Sequence, residues 1–395
     1  MFASSGVAEH ASIAIAVRNA FRNASDQLRG PVSCMFLFVS GDDLASQSAA
    51  IQATLNEIAA GLPVFGCSAE SIVSTGREIE RQTAASVLLI GGLSQPPSMC
   101  SLECVKTPDG HSVFGYSDGI LDQARQCNGF LVLGCPLTFS IDLLADAIAP
   151  ERGGTIVPIL GGYCSSQSWE SENLLFCGDR ILNRGGIGLA LPPELKWHTI
   201  VSQGCRPIGD PMIITSLDGD MILGLGGRPA LTMLREMFQK LPNHERAMAI
   251  DALLIGRAIT EYSDTFSHGD FLIRNVQGVD ADVDGVLVTD RFQVGQTVRF
   301  HVRDASGADT DLTTLLGRVS NGEISPLAGL LFSCNGRGQR MFSQSNHDAL
   351  AIDRHFEGLP ISGFFAAGEF APVGNRNLTH GFTAVAAFMS ESTKS

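Results

Sequence analysis

The chain reads as a mixed α/β (α+β) protein, with layered mixed β-sheets packed face to face, helices outside, and two related halves. Two observations predict this. Continuous apolar runs such as CMFLFV (34–39) and FLVLG (130–134) are strand-length segments that need both faces covered. A Pro-x-x-Gly strand also follows a helix three times, at Pro63 to Gly66, Pro158 to Gly161 and Pro360 to Gly363. Pro cannot extend the helix and starts a strand safely. Gly then permits a bulge or a close approach.

The elements follow in order. Ala14, Val17, Phe21, Ala24 and Leu28 recur at helical spacing, so Val7 to Leu28 reads as a helix stopped by Gly30-Pro31. The first unit has a strand over 32–39 and a helix capped by Asp42 or Asp43 with Leu44, Ser48, Ile51, Leu55 and Ile58 on its buried face. Strands over 63–68 and 85–90 complete it. The second unit has strands over 129–134, 158–162 and 187–191, with a helix over 139–148. The third has strands over 327–334, 360–364 and 382–389, with a helix over 347–357. Between the second and third units lies a different region. It has strands over 196–222, 251–259, 270–276, 285–288 and 297–303, and helices over 231–241 and 309–318. This gives an N-terminal helix (1–29), a first domain (30–192) and a second (193–395), divided near Pro192-Pro193.

Composition narrows the function. Hydrophobic residues make up 44% of the 395 and charged residues 17%, enough for a sizeable core. A net charge of −14 without a basic cluster argues against nucleic-acid binding. No apolar run reaches membrane-helix length and no signal-peptide pattern opens the chain, so a cytoplasmic location and no membrane partner are expected. The ten cysteines then read as reduced thiols in apolar strands. Neither a Cys-x-x-Cys pair nor a Cys/His cluster has ligand spacing, so no metal or cofactor is expected.

The candidate chemistry gathers near the C-terminus. Cys334-Asn335-Gly336-Arg337-Gly338 follows a buried strand, where glycines can turn N–H groups toward an anion and Arg337 can grip a carboxylate at two points. It can also be an ordinary Gly-rich turn. Glu369 can accept a ligand ammonium or pair internally with Arg337 or Arg376. Asn375, Arg376, Asn377 and His380 supply further polar groups, or a turn pinned by Asn side chains. Cys67 and Glu70, in GCSAE, echo the later Gly368-Glu369 segment. Gly224-Leu225-Gly226-Gly227 before a helix reads as a tight turn more than an anion site, since no Lys-Ser/Thr follows. Cys334 with His380 forms a nucleophile and base only if the fold joins them.

The segments LLFSCNGRG and PISGFFAAGEFAPVGNRNLTHGFTA, with Ile222-Leu223 and Gly227-Arg228-Pro229-Ala230-Leu231, resemble the FIST C-terminal domain. PVFGCSAES and ASVLLIGG resemble its FIST N-terminal partner. The resemblance implies a small-ligand sensory module in signal transduction, with amino acids as the suggested ligands. It carries no established catalytic residues. The segment before Val32 is too short for an F-box and no output domain follows the last strand, so a separate signalling partner is expected. Two other readings stand beside this one: a Cys334-dependent hydrolase or transferase, and a protein-interaction scaffold with an exposed apolar patch.

Overall fold

Three glycines set the architecture. In the computed structural model, a Cβ on Gly66, Gly161 or Gly363 would come within 1.7, 2.0 or 1.9 Å of Leu37 O, Val132 O or Leu331 O. Each glycine faces that residue in the register of a parallel strand pair. Only a residue without a Cβ allows so close an approach. The Pro-x-x-Gly repeat therefore marks the same strand in three copies of one motif.

The structure describes residues 1–108, 110–150, 154–167, 172–261, 266, 269–322 and 324–392. Each copy runs strand, helix, strand, helix, strand, hairpin, strand. The first comprises Phe2–Glu9, helix Ile13–Ser25, Val32–Ser40, helix Ser48–Ile58, Val64–Ala69, the hairpin Ser71–Ser74 and Arg77–Glu80, and Ala84–Gly91. The second comprises Ser98–Thr107, helix Asp118–Gln126, Phe130–Gly134, helix Ile141–Ala147, Ile159–Tyr163, the hairpin Leu175–Cys177 and Arg180–Leu182, and Gly186–Ala190, with Gly110–Phe114 added at its edge. The third comprises Leu195–Gln203, helix Ala305–Ser320, Ala328–Cys334, helix His347–His355, Ile361–Ala366, the hairpin Glu369–Val373 and Arg376–His380, and Thr383–Glu391.

Each copy builds one mixed sheet, and the hairpins are exchanged in a cycle. The first copy's hairpin continues the third copy's sheet beside Ile361–Ala366. The third copy's hairpin continues the second copy's sheet beside Ile159–Tyr163. The second copy's hairpin continues the first copy's sheet beside Val64–Ala69. The inner faces of the three sheets share one core, where Phe38 stacks on Phe364 at 5.2 Å and Phe332 meets Phe364 edge-on at 5.6 Å. Helices pack on the outer faces, as with Ile13, Val17 and Ile51 on the first sheet and Leu312, Leu316 and Ile352 on the third. The expected mixed sheets with outer helices are therefore present.

The compact units divide the chain differently from its linear order. The larger holds Met1–Ser202, Leu312–Thr379 and Thr383–Ser395; the smaller holds Gln203–Asp311 and His380–Phe382. The smaller unit is a 7-stranded antiparallel sheet that closes on itself, because Cys205–Asp218 pairs with both Thr297–Arg303 and Met221–Leu225. Helix Ala230–Lys240 lies within its core cluster. At the Gly226-Gly227 turn, Arg228 is engaged by Glu236, so the turn holds an internal ion pair.

Two local expectations need correction, and one further helix was not expected. Val7 to Glu9 belong to a strand paired with Ala84–Gly91, and the helix starts only at Ile13. The cause is Gly6, which sits against the Ala20 carbonyl and lets the strand lie on the helix. Neither Asp42 nor Asp43 caps the next helix; it starts at Ser48 after a turn in which Asp43 has a positive φ of 47°. Asn243–Asp251 is helical, although its weak amphipathic pattern gives no periodic signal. Among the described residues, no helix is long and apolar enough to cross a membrane.

Candidate functional site

The polar cluster lies where the third copy's parallel strands, Ala328–Cys334 and Ile361–Ala366, end. In open α/β sheets this carboxyl edge is the usual ligand position. The loop leaving Cys334 turns at Gly338, whose φ is +57° and where a Cβ would strike Phe365 and Glu80. That turn carries Arg337 into the interior, where it is 0% exposed. Helix His347–His355 places Asp348 against it. Arg337 donates from Nε to Asp348 Oδ2 and from Nη2 to Oδ1, both at 2.8 Å. Ser333 Oγ donates to Asp348 Oδ2 at 2.8 Å, and His347 Nδ1 lies 2.9 Å from Oδ1. Phe342 lies under the guanidinium at 5.2 Å and stacks on His347. A buried charge is tolerated when it is paired in this way.

The exchanged hairpin supplies the other wall. Glu78 Oε1 accepts from the N–H groups of Asp348 and Ala349 at 2.9 and 3.0 Å, at a helix N-terminus that suits a carboxylate. Asn346 Oδ1 accepts from Glu78 N at 2.7 Å. Glu80 accepts from Gln339 N, and Glu70 takes Arg340 at 2.6 and 3.1 Å. Glu369 Oε2 accepts from Thr383 N and Thr383 Oγ1 at 3.3 and 2.5 Å.

Burial and charge separate these carboxyls. Burial pushes Glu369 up to about 8, against the Thr383 donors, the Cys334 thiol and the Arg337 charge, which favour its ionised form. Burial and the neighbouring Asp348 charge push Glu78 up to about 8. For Asp348, burial acts upward, but Arg337 and His347 outweigh it and hold the group well below the usual carboxylate range. Four atoms here are buried without a hydrogen-bond partner among the described residues: Arg337 Nη1, Glu369 Oε1, Glu78 Oε2 and Asn335 Oδ1. Unmatched buried polar atoms are uncommon and call for a partner.

The structure gathers Asn335, Arg337 and Glu369 in this cluster. Glu70 joins it through Arg340, which also donates to the Asn335 carbonyl at 2.9 Å. Arg337 differs from the expectation of two-point capture of a ligand, because Asp348 already takes two of its nitrogens. Cys67 faces the shared core instead, in a chain of thiols with Cys164 and Cys135. Burial drives Cys164 far up, and its hydrogen bond raises Cys135, so Cys164 and Cys135 stay protonated. No disulfide joins any of the ten cysteines.

Asn377 staples a sheet edge: its Oδ1 accepts from Ile159 N at 2.8 Å and its Nδ2 donates to Val157 O at 2.9 Å. Asn375 lies in the exposed hairpin turn with Gly374, and Arg376 opens the strand that follows. His380 is buried and belongs to the smaller unit, whereas Cys334 belongs to the larger. Sequence reasoning missed Asp348, Glu78, Ser333 and Thr383. The His347-Asp348 pair opening a helix just after the Gly-rich loop was the available signal for Asp348. Nothing local marks Glu78, whose partners lie 270 and 271 positions away. Among the described residues, no group of three or more His, Cys, Asp or Glu is arranged to hold a metal.

The FIST N domain matches residues 33–228, and the FIST C domain matches residues 230–372. An uncharacterized protein of Mycobacterium bovis is 37% identical over 363 residues, covering 91% of this chain and 92% of its own. An uncharacterized protein of Mycobacterium tuberculosis is 36% identical over 385 residues, covering 96% and 97%. The chain therefore belongs to the FIST family, whose domains are associated with sensory roles in signal transduction.

Proposed function

We propose that this chain is a small-ligand-binding sensory protein that acts through a separate signalling partner, with an amino-acid-like molecule as its ligand. One observation carries the reading: Arg337 Nη1 and Glu369 Oε1 are fully buried, close enough to influence each other's charge, and unmatched by any described residue. A ligand carboxylate at the first and an ammonium at the second would satisfy a donor and an acceptor whose burial is otherwise costly. The same contact would ionise Glu369, so binding near neutral pH would release a proton. Thr383 holds the other oxygen of Glu369 and thereby fixes the direction of the free one.

Thermal unfolding with single amino acids and related metabolites tests the reading. A ligand at 100 times its Kd should add about 2.7 kcal/mol of stability. Glu369→Gln should abolish the shift. The full chain should also retain a partner protein differently with and without that ligand. The absence of a shift with every compound, together with unaltered partner retention in Arg337→Ala, overturns the proposal.

A further inference from the structure

The Cys334 thiol stands within the cluster but has no part in the binding role just described. It ends a strand next to the half-buried Asn335 and Gly336, so it lies just beneath the surface. Gly336 N donates toward its Sγ at 3.4 Å, a contact that favours negative charge on sulfur. On another side it neighbours the Glu369 carboxyl, whose Oε1 is unmatched. Arg337 is near enough for its charge to act on both, and its Nη1 is unmatched and buried. Glu369, a residue of the same compact unit as Cys334, is a candidate base.

We infer that Cys334 is a nucleophile that captures electrophilic carboxylates, with Glu369 receiving the thiol proton and Arg337 Nη1 holding the carboxylate. The inference rests on the proposed function only for the place of that carboxylate. With an α,β-unsaturated carboxylate, an S–C bond forms at the β-carbon and the C=C π pair moves to the α-carbon. The α-carbon then takes the proton that Glu369 received. Nothing leaves, and no oxidant or reductant is required. With an α-halo carboxylate, the S–C bond replaces the carbon–halogen bond, the halide departs with its electron pair, and the proton stays on Glu369. Burial lifts Glu369 to about 8, close to an ordinary thiol; its ionised form, which dominates above that pH, takes the thiol proton, and transfer is most effective between matched groups. The other thiols lack this company: burial pushes Cys34 and Cys100 up to about 12.

Alkylation of the full-length protein with iodoacetate and with iodoacetamide, read by peptide mass spectrometry, tests the inference. Ordinary thiols prefer the neutral iodoacetamide. Cys334 should prefer iodoacetate by about tenfold or more, the scale of one charge-assisted hydrogen bond. The half-buried Cys100 and Cys104 in the same sample should keep the ordinary preference. Glu369→Gln should slow Cys334 on the order of a hundredfold, as expected for loss of a base, while leaving Cys104 unchanged. Equal rates at Cys334 and Cys104, or no preference for iodoacetate, overturn the inference. The thermal shift with a non-electrophilic ligand in Cys334→Ala separates the two proposals. A retained shift without selective alkylation in the parent protein sinks the covalent step and leaves the sensory reading standing.

Discussion

The second and third copies put different chemistry at the same place. Counted from the registers Val132–Gly161 and Leu331–Gly363, Cys135 and Cys334 hold matching positions at the ends of their strands. In the second copy Cys135 meets Cys164, which in turn meets Cys67, within an apolar core. In the third, Cys334 meets Arg337 and Glu369, and Arg337 is held by Asp348. The backbone plan is the same, so the plan alone does not make a site. What differs is the loop after the first strand. CPLTF leads straight into a helix, whereas CNGRG turns inward at Gly338 and buries a guanidinium.

The largest effect should come from breaking the charged version. Arg337→Met leaves Asp348 buried and uncompensated, and should cost about 3–5 kcal/mol in denaturant unfolding. Cys164→Ala, at the matching edge of the second copy, should cost less than about 1.5 kcal/mol. Similar losses from the two changes would mean that the copies are not distinguished by charge.

The shared plan is tested next. Gly66→Ala, Gly161→Ala and Gly363→Ala each drive a methyl group into a partner-strand carbonyl, and each should cost about 1–3 kcal/mol or more. A tolerated substitution in any one copy would show that its parallel pair is not held as the others are.

The smallest effect, per unit of pH, separates the copies by titration. In the folded state Glu369 and Glu78 keep their protons up to about 8, while in the unfolded chain they lose them near the ordinary carboxylate range. The folded state thus binds more protons between those limits, and stability should fall as pH rises from about 4.5 to about 8. Glu369→Gln should flatten that slope by at most about 1.4 kcal/mol per pH unit. Asp348 acts in the opposite direction: its pairing stabilises the fold above the ordinary carboxylate range, and the benefit is lost on acidification. Denaturant melts from about pH 2 to about pH 9 measure both limbs. An unchanged slope in Glu369→Gln would place the titration elsewhere.

Much of the scaffold was legible because its signals are local. The apolar strands and the Pro-x-x-Gly spacing announce each copy's parallel pair within a short window. The hairpins were not legible. Ser71–Ser74 and Arg77–Glu80 carry Ser71, Ser74 and Glu78 in buried places because a distant strand covers them, which no local pattern records. The site divides in the same way. Arg337 and Glu369 stand out in sequence as charges between apolar runs. Asp348, which decides what Arg337 can do, looks like any acidic residue in a first helical turn. Asn377 misleads for the converse reason, since an Asn beside a turn looks available until its two bonds to Val157 and Ile159 are seen.

The hairpin exchange has a consequence for how the chain reaches its native state. Each sheet is completed by a segment from another copy, and Ser71–Ser74 must find Ile361–Ala366 across most of the chain. A nascent first copy would lack Leu175–Cys177 beside Val64–Ala69, and that strand would present a bare hydrogen-bonding edge. Such long-range closure is slow, and it ties the three sheets into one cooperative transition. Removing any one copy would leave another sheet without its borrowed hairpin, so truncations should aggregate before they fold as separate domains.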